Sequence, residues 1–152
     1  MHKMMVRLVA TLTLAFSLCV SNQAFADEGQ IEMYRMYNPN SGEHFYTAST
    51  QERDALALRW WTYEGVGWIA PEESEEPVYR LYNRFAGDHH YTTSATERDV
   101  LEAVGRTFEG IGWYSDDYQT LPLLRQYNPY ATTGTHNYTT SQIENDVLVQ
   151  RG

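Results

Sequence analysis

One histidine, one serine, one glutamate and one aspartate recur three times at matched spacing: His44, Ser49, Glu52, Asp54; His89, Ser94, Glu97, Asp99; His136, Ser141, Glu144, Asp146. Serine, histidine and aspartate together could form a hydrolytic triad, but the serine must then sit on an exposed, activated turn beside an oxyanion hole. No elbow glycines flank these serines. Ser-x-x-Glu is instead the signature of a capping box, so they read as helix caps. Three histidines gathered on one axis would suit a zinc ion, yet the acid before each recurs only twice (Glu43, Asp88, then Thr135). No metal and no cofactor is assigned. Glycoside hydrolysis needs two carboxylates in one cleft. Here Glu52, Glu97 and Glu144 read as capping residues, and Asp54, Asp99 and Asp146 as ion-pair partners of the recurring Arg35, Arg80 and Arg125. No catalytic residue is assigned.

A second recurring set suits binding: Tyr37, Asn38, His44 and Tyr46; Tyr82, Asn83, His89 and Tyr91; Tyr127, Asn128, His136 and Tyr138. Sugar rings lie on aromatic faces while amides and imidazoles order their hydroxyls. Each turn, Asn38–His44 and its copies, joins two strands, and loops on a rigid β scaffold carry binding residues. Alternation puts Tyr37 on a face with Arg35, and Tyr46 on one with His44, so one pocket per copy is expected. Three weak sites would add avidity. If neutral imidazole is the acceptor, binding should fall as pH drops through about 6.5. The competing reading is that each copy repeats because each packs alike.

The elements that must position these residues also repeat. A shift of 45 residues lays 34–68 over 79–113 with 18 of 35 positions identical; a third copy spans 124–152. Val78-Tyr79-Arg80-Leu81-Tyr82 alternates as a half-buried strand, and His89-His90-Tyr91-Thr92 makes a second. A helix of about ten residues follows, with Ala55/Leu56, Val100/Leu101 and Val147/Leu148 expected inward. Gly105 is its expected stop, replaced by Trp60 in the first copy. The last element, Glu64-Gly65-Val66-Gly67-Trp68, recurs as Glu109-Gly110-Ile111-Gly112-Trp113. On a regular strand its two glycines would make a flat shelf. The segment from Pro71 to Pro77 reads as an exposed acidic spacer. Eight residues in register beyond Gly152 would be needed to complete the third copy. Either the chain continues or the fold closes differently; if the last strand of one unit pairs with the first of another, an unpaired edge beside Tyr34 that favours self-association is expected.

Residues 1–26 read as a secretory leader: Lys3 and Arg7 are basic, Leu8–Val20 is apolar but too short to span a membrane, and Ala24-Phe25-Ala26 suits cleavage. The whole chain carries −9. Removing the leader with its two cations leaves −11, no Cys, no Lys and nine Arg. That composition excludes disulfide frameworks and thiolate metal sites. It disfavours nucleic acid and anionic membrane partners, which need Lys/Arg-rich patches. The expected location is secreted, extracellular or periplasmic.

The linked motifs Tyr-Arg-x-Tyr-Asn, Gly-Asp/Glu-His-x-Tyr-Thr, Ser-x-x-Glu-Arg-Asp and Glu-Gly-x-Gly-Trp resemble a repeat family of secreted bacterial and fungal proteins known as a domain of unknown function. The resemblance covers essentially all of 27–152 and implies three repeats, a fold and a habitat beside wall hydrolases and other glycan-active modules. It implies no mechanism. The chain departs from that pattern at Arg84-Phe85, where Pro-Asn is usual, and at Asn145, where Arg is usual.

The expected fold is one domain over 27–152, mainly β with one short helix per repeat (α+β). Its three β-β-α-β units would sit around a pseudo-threefold axis in a closed, trefoil-like form, the third lacking its last strand; an open stack is the alternative. The Gln-x-Trp signature of ricin-type lectins is absent. The expected function is non-catalytic binding of a neutral cell-wall or other polysaccharide. A wall hydrolase using recurring histidine and carboxylate, or a purely structural scaffold, are the alternatives.

Overall fold

Alternating apolar and polar residues, punctuated by Asn/Gly turns and Ser-initiated helices, order the chain as the repeats imply. The computed structural model describes residues 29–151; the leader assigned to 1–26 lies outside them. The first unit comprises β1 (Gln30–Tyr37), β2 (His44–Thr47), α1 (Thr50–Ala57) and β3 (Thr62–Pro71). The second repeats it as β4 (Glu76–Asn83), β5 (Asp88–Thr92), α2 (Ala95–Ala103) and β6 (Thr107–Ser115). The third has β7 (Leu124–Tyr127), β8 (His136–Thr139) and α3 (Gln142–Arg151). The protein is mainly β, with three short helices and three small antiparallel sheets ordered β2-β1-β3, β5-β4-β6 and β7-β8; none of them closes.

Three sequence expectations are corrected here. The unpaired edge does not lie beside Tyr34, because β1 is the central strand of its sheet, with Tyr34 opposite Thr47 on one side and Val66 on the other. Last strands pair within their own units, not between them. The Gly-x-Gly element makes no flat shelf either. The ladder between β1 and β3 slips at Met33/Tyr34 and Arg35/Met36, and β4–β6 slips at the equivalent places. Gly65 and Gly110 adopt φ of +105° and +104°, which a side chain would resist. These bulges let Glu64 and Glu109 lean back over the central strand. Finally, the helices bury no residue fully. Leu56, Leu101 and Leu148 are half-buried, while Ala55, Val100 and Val147 face water. Eight to ten residues present too narrow a face to cover more of a three-stranded sheet.

The spacer at 71–77 shrinks to a turn, since β3 runs to Pro71 and β4 starts at Glu76. Gly105 ends its helix at φ +97°, and Trp60 takes the same left-handed place at +69° with 84% of its surface exposed. The core unites the units. Met33, Tyr46, Ala70, Val78, Tyr91, Trp113 and Tyr138 form one buried cluster. Within it the rings of Tyr46, Tyr91 and Tyr138 meet edge to face, with centroids 5.4 to 5.8 Å apart. Their bonding is cyclic. Tyr46 N–H donates to the Tyr91 hydroxyl (3.1 Å), Tyr91 N–H to that of Tyr138 (3.0 Å), and Tyr138 N–H to that of Tyr46 (3.0 Å).

Candidate functional site

At each boundary between units an arginine reaches a glutamate on the helix of another unit, and Arg35 and Arg80 hold a second glutamate of their own sheet as well. Arg35, on β1, donates Nε to Glu64 of its own sheet (2.8 Å) and grips Glu144 of α3 at 2.7 and 3.0 Å. Arg80 takes Glu109 of its own sheet (2.9 Å) and Glu52 of α1 (3.0 Å). Arg125 takes Glu97 of α2 at 3.1 and 3.2 Å. The first unit thus binds the third, the second the first, and the third the second, each through a charge-assisted fork.

These pairs correct the assignment of Asp54, Asp99 and Asp146 to the central arginines. Asp54 and Asp99 instead take Arg53 and Arg98 on their own helices, at 2.8 and 2.7 Å, and point outward with side chains 65% and 63% exposed. Asp146 accepts from Gln142 at 2.7 Å. The capping box is also only half present. Ser49, Ser94 and Ser141 accept the N–H of Glu52, Glu97 and Glu144 as expected. In return, the serine N–H groups go to Thr47, Thr92 and Thr139. That leaves the glutamates to accept the threonine hydroxyls and reach the next unit. The Arg35 hydrogen bond holds Glu144 below the usual carboxylate range. Burial alone would raise Glu52 and Glu97, but their hydrogen bonds to Arg80 with Thr47, and to Thr92 with Arg125, outweigh it. All three stay ionised.

Beside each fork lies a tyrosine stacked on a histidine. Tyr37 faces His44 across the ladder, Tyr82 faces His89, and Tyr127 faces His136. Their rings lie 4.9, 5.0 and 5.2 Å apart at 37°, 42° and 38°. Tyr37 and Tyr82 are half-buried, and Tyr127 is 63% exposed. His44 Nε2 lies 3.1 Å from Arg35 and 3.4 Å from Glu64. His89 sits between Glu43 (2.6 Å) and Glu109 (3.4 Å), and its N–H donates to the same Glu43 oxygen. His136 lies 2.9 Å from the Thr135 hydroxyl and meets His90 edge-on at 4.7 Å.

Two groups of expected site residues are placed elsewhere. Tyr46, Tyr91 and Tyr138 are core residues, 0%, 1% and 5% exposed, with their hydroxyls spent on neighbouring units. Burial pushes the Tyr138 phenol up to about 12. The amide oxygens of Asn38, Asn83 and Asn128 are spent locally, accepting the N–H of Asn40, Phe85 and Tyr130 in side-chain-closed turns. The titration expected near 6.5 also moves: burial, then Arg35, lowers His44. Burial, then His90 and Arg125, brings His136 down to about 4.

Sequence reasoning missed that Arg35 and Glu64 lie 3.1 and 3.4 Å from the His44 ring, and Glu109 3.4 Å from that of His89. Their signal was the strict recurrence of Arg at the second position of each repeat and of Glu at the head of Glu-Gly-x-Gly-Trp. Asn145, the departure from the repeat, accepts from Gln126 at 2.8 Å. Its counterparts Arg53 and Arg98 stack 4.6 and 4.5 Å over Tyr34 and Tyr79, and the third unit has Leu124 in that place. Among the described residues no group of three His, Cys, Asp or Glu could hold a metal ion, and no helix is long and apolar enough to cross a membrane.

The family model described as a domain of unknown function (DUF5648) matches residues 32–152, and the chain belongs to that family. No curated protein and no solved structure matches it.

Proposed function

We propose that this member of the family is a secreted, non-catalytic binding module for neutral polysaccharide, with one site at each boundary between its units. The observation that carries the reading is the threefold recurrence of a stacked Tyr/His pair beside an Arg–Glu fork. A tyrosine face offers apolar contact to sugar C–H groups, and a fixed fork offers donors and acceptors to paired hydroxyls. The finer fold reading belongs here as well: three units in a closed, pseudo-threefold, trefoil-like ring. The cyclic tyrosine bonds and the cyclic arginine bridges support it.

A binding role fits the charges better than hydrolysis. A glycosidase needs one carboxylic acid held protonated near neutral pH, whereas Glu52, Glu97 and Glu144 are all held ionised. Their partners are internal, so binding should vary little with salt. The test changes Tyr37, Tyr82 and Tyr127 to Ala, singly and together, and measures retention on insoluble wall polysaccharides, with the fold checked by circular dichroism. Graded loss across the single changes and near-complete loss in the triple variant is expected. Unchanged retention in a folded triple variant, or release of reducing ends from the polysaccharide, would overturn the reading.

A further inference from the structure

The three boundaries between units are not alike, and one position of the second strand sets them apart. Phe45 on β2 has His90 and Asn137 as its counterparts on β5 and β8. The Phe45 ring is buried and wedged between two units, meeting Trp61 of the first edge-on at 6.2 Å and His89 of the second at 4.8 Å. His89 in turn lies 5.0 Å from Tyr82. Four rings therefore run from Trp61 to Tyr82 across this boundary, with the Arg80 guanidinium 5.4 Å from the Phe45 ring. At the boundary between the second and third units the row turns polar. There His90 meets His136 at 4.7 Å, and Arg106 stands where the first unit has Trp61. In the third unit Asn137 spends its amide on Gln126 and the Tyr46 hydroxyl.

Trp60 precedes Trp61 at a place that suits a different residue. After α1 the Trp61 N–H donates to the Leu56 carbonyl at 3.2 Å, and after α2 the Arg106 N–H donates to that of Leu101 at 3.0 Å. Such a closure takes a left-handed residue one place earlier, which is Gly105 in the second unit and Trp60 in the first. A bulky side chain is disfavoured in that conformation. Trp60 nevertheless leaves its ring in water, so packing repays nothing. A strained backbone holding an exposed indole at the end of a row of rings points to contact with something outside the chain.

We infer that the boundary between the first and second units is the principal glycan site of the protein. Trp60 and Trp61 form an outer platform that extends the Tyr82/His89 pair, so this boundary takes a longer linear stretch of neutral polysaccharide than the other two. The inference rests on the reading of the Tyr/His pairs as sugar sites and adds which of them dominates. Two indoles widen the apolar face offered to sugar rings. The nearby charges disfavour an acidic chain: Arg80 is taken by Glu52 and Glu109, and His89 lies between Glu43 and Glu109.

The probes are cello- and chito-oligosaccharides, as disaccharide and as hexasaccharide, followed by calorimetry and by acrylamide quenching of tryptophan fluorescence. In one of the two series the hexasaccharide should bind at least about tenfold more tightly than the disaccharide and should shield tryptophan from the quencher. The double variant Trp60→Gly/Trp61→Arg carries the residues that the second unit accommodates at the same places. It should keep the fold by circular dichroism, bind both lengths alike and lose the shielding. Trp60→Gly alone, a change at an exposed ring, should lose severalfold in hexasaccharide affinity, whereas Tyr82→Ala should weaken both lengths. Equal affinity for the two lengths in the unaltered protein, or an undiminished length gain in folded Trp60→Gly, would overturn this inference and leave the Tyr/His sites standing. Failure to bind the hexasaccharide would also overturn it, and retention of the same preparation on insoluble polysaccharide then shows whether the Tyr/His reading falls with it.

Discussion

Replacing Tyr91 by Phe removes one oxygen atom and leaves the ring that packs the core. That oxygen makes two bonds to the preceding unit: it accepts the Tyr46 N–H and donates to the Tyr46 carbonyl, both at 3.1 Å. Tyr46 and Tyr91 are 0% and 1% exposed, so water cannot stand in. A buried polar group stripped of its partner costs about 1–3 kcal/mol, and two of them put the loss at about 3 kcal/mol. Tyr138→Phe should cost about the same, since its hydroxyl serves Tyr91 in the same two ways. Tyr46→Phe should cost less, about 2 kcal/mol. It orphans one buried N–H, of Tyr138, together with the amide of half-buried Asn137, which can turn toward solvent. Exposed Tyr130→Phe, at 84% exposure, is the neutral control. Urea unfolding followed by tyrosine and tryptophan fluorescence reads all four. Because the bonds close a cycle through three units, each loss should lower one cooperative transition instead of splitting it. A Tyr91→Phe loss under about 1 kcal/mol, or a separate transition for the second unit, would refute the reasoning.

Trp60 holds a left-handed φ of +69° with little of its ring buried, so Trp60→Gly should stabilise by about 0.5–1 kcal/mol in thermal melts, strain relief exceeding the added unfolded-state entropy. At Gly134 a Cβ would meet the Glu43 nitrogen at 2.7 Å with φ at +61°. Gly134→Ala should therefore cost at least about 2 kcal/mol, and Gly42→Ala, with open space around it, about 1 kcal/mol. His136 is lowered to about 4 by burial, His90, Arg125 and Arg106, with Asp88 opposing. The unfolded chain therefore binds more protons than the folded one between pH 6.5 and 4, and stability must fall as pH drops through that window. Discounted for part exposure, the loss is about 2 kcal/mol at pH 4. His136→Asn should flatten the slope between pH 6.5 and 4.5, above the range where the paired glutamates add their own acid loss.

Element types and their order were legible in the chain because they rest on local physics. Asn/Gly turns, Ser-x-x-Glu helix starts and period-two strands act within a few residues, and three copies repeat the message. The helix caps followed the serines. What the sequence could not separate were residues of one type whose fates are set by distant partners. Tyr37 and Tyr46 recur equally well, yet one stacks on a histidine and stays half-buried while the other lies in the core. The difference is a hydroxyl that finds the backbone of a unit 92 residues away. Asp54 and Glu52 are both acids on one helix, yet only Glu52 faces the arginine of the neighbouring unit. The glycines of Glu-Gly-x-Gly-Trp read as an absence of side chains, but two register slips turned them into bulges that aim Glu64 and Glu109. Local propensity chose the parts of this protein. Packing of one unit against the next decided which tyrosines, glutamates and histidines were buried, which were bridged to a neighbouring unit and which stayed at the surface.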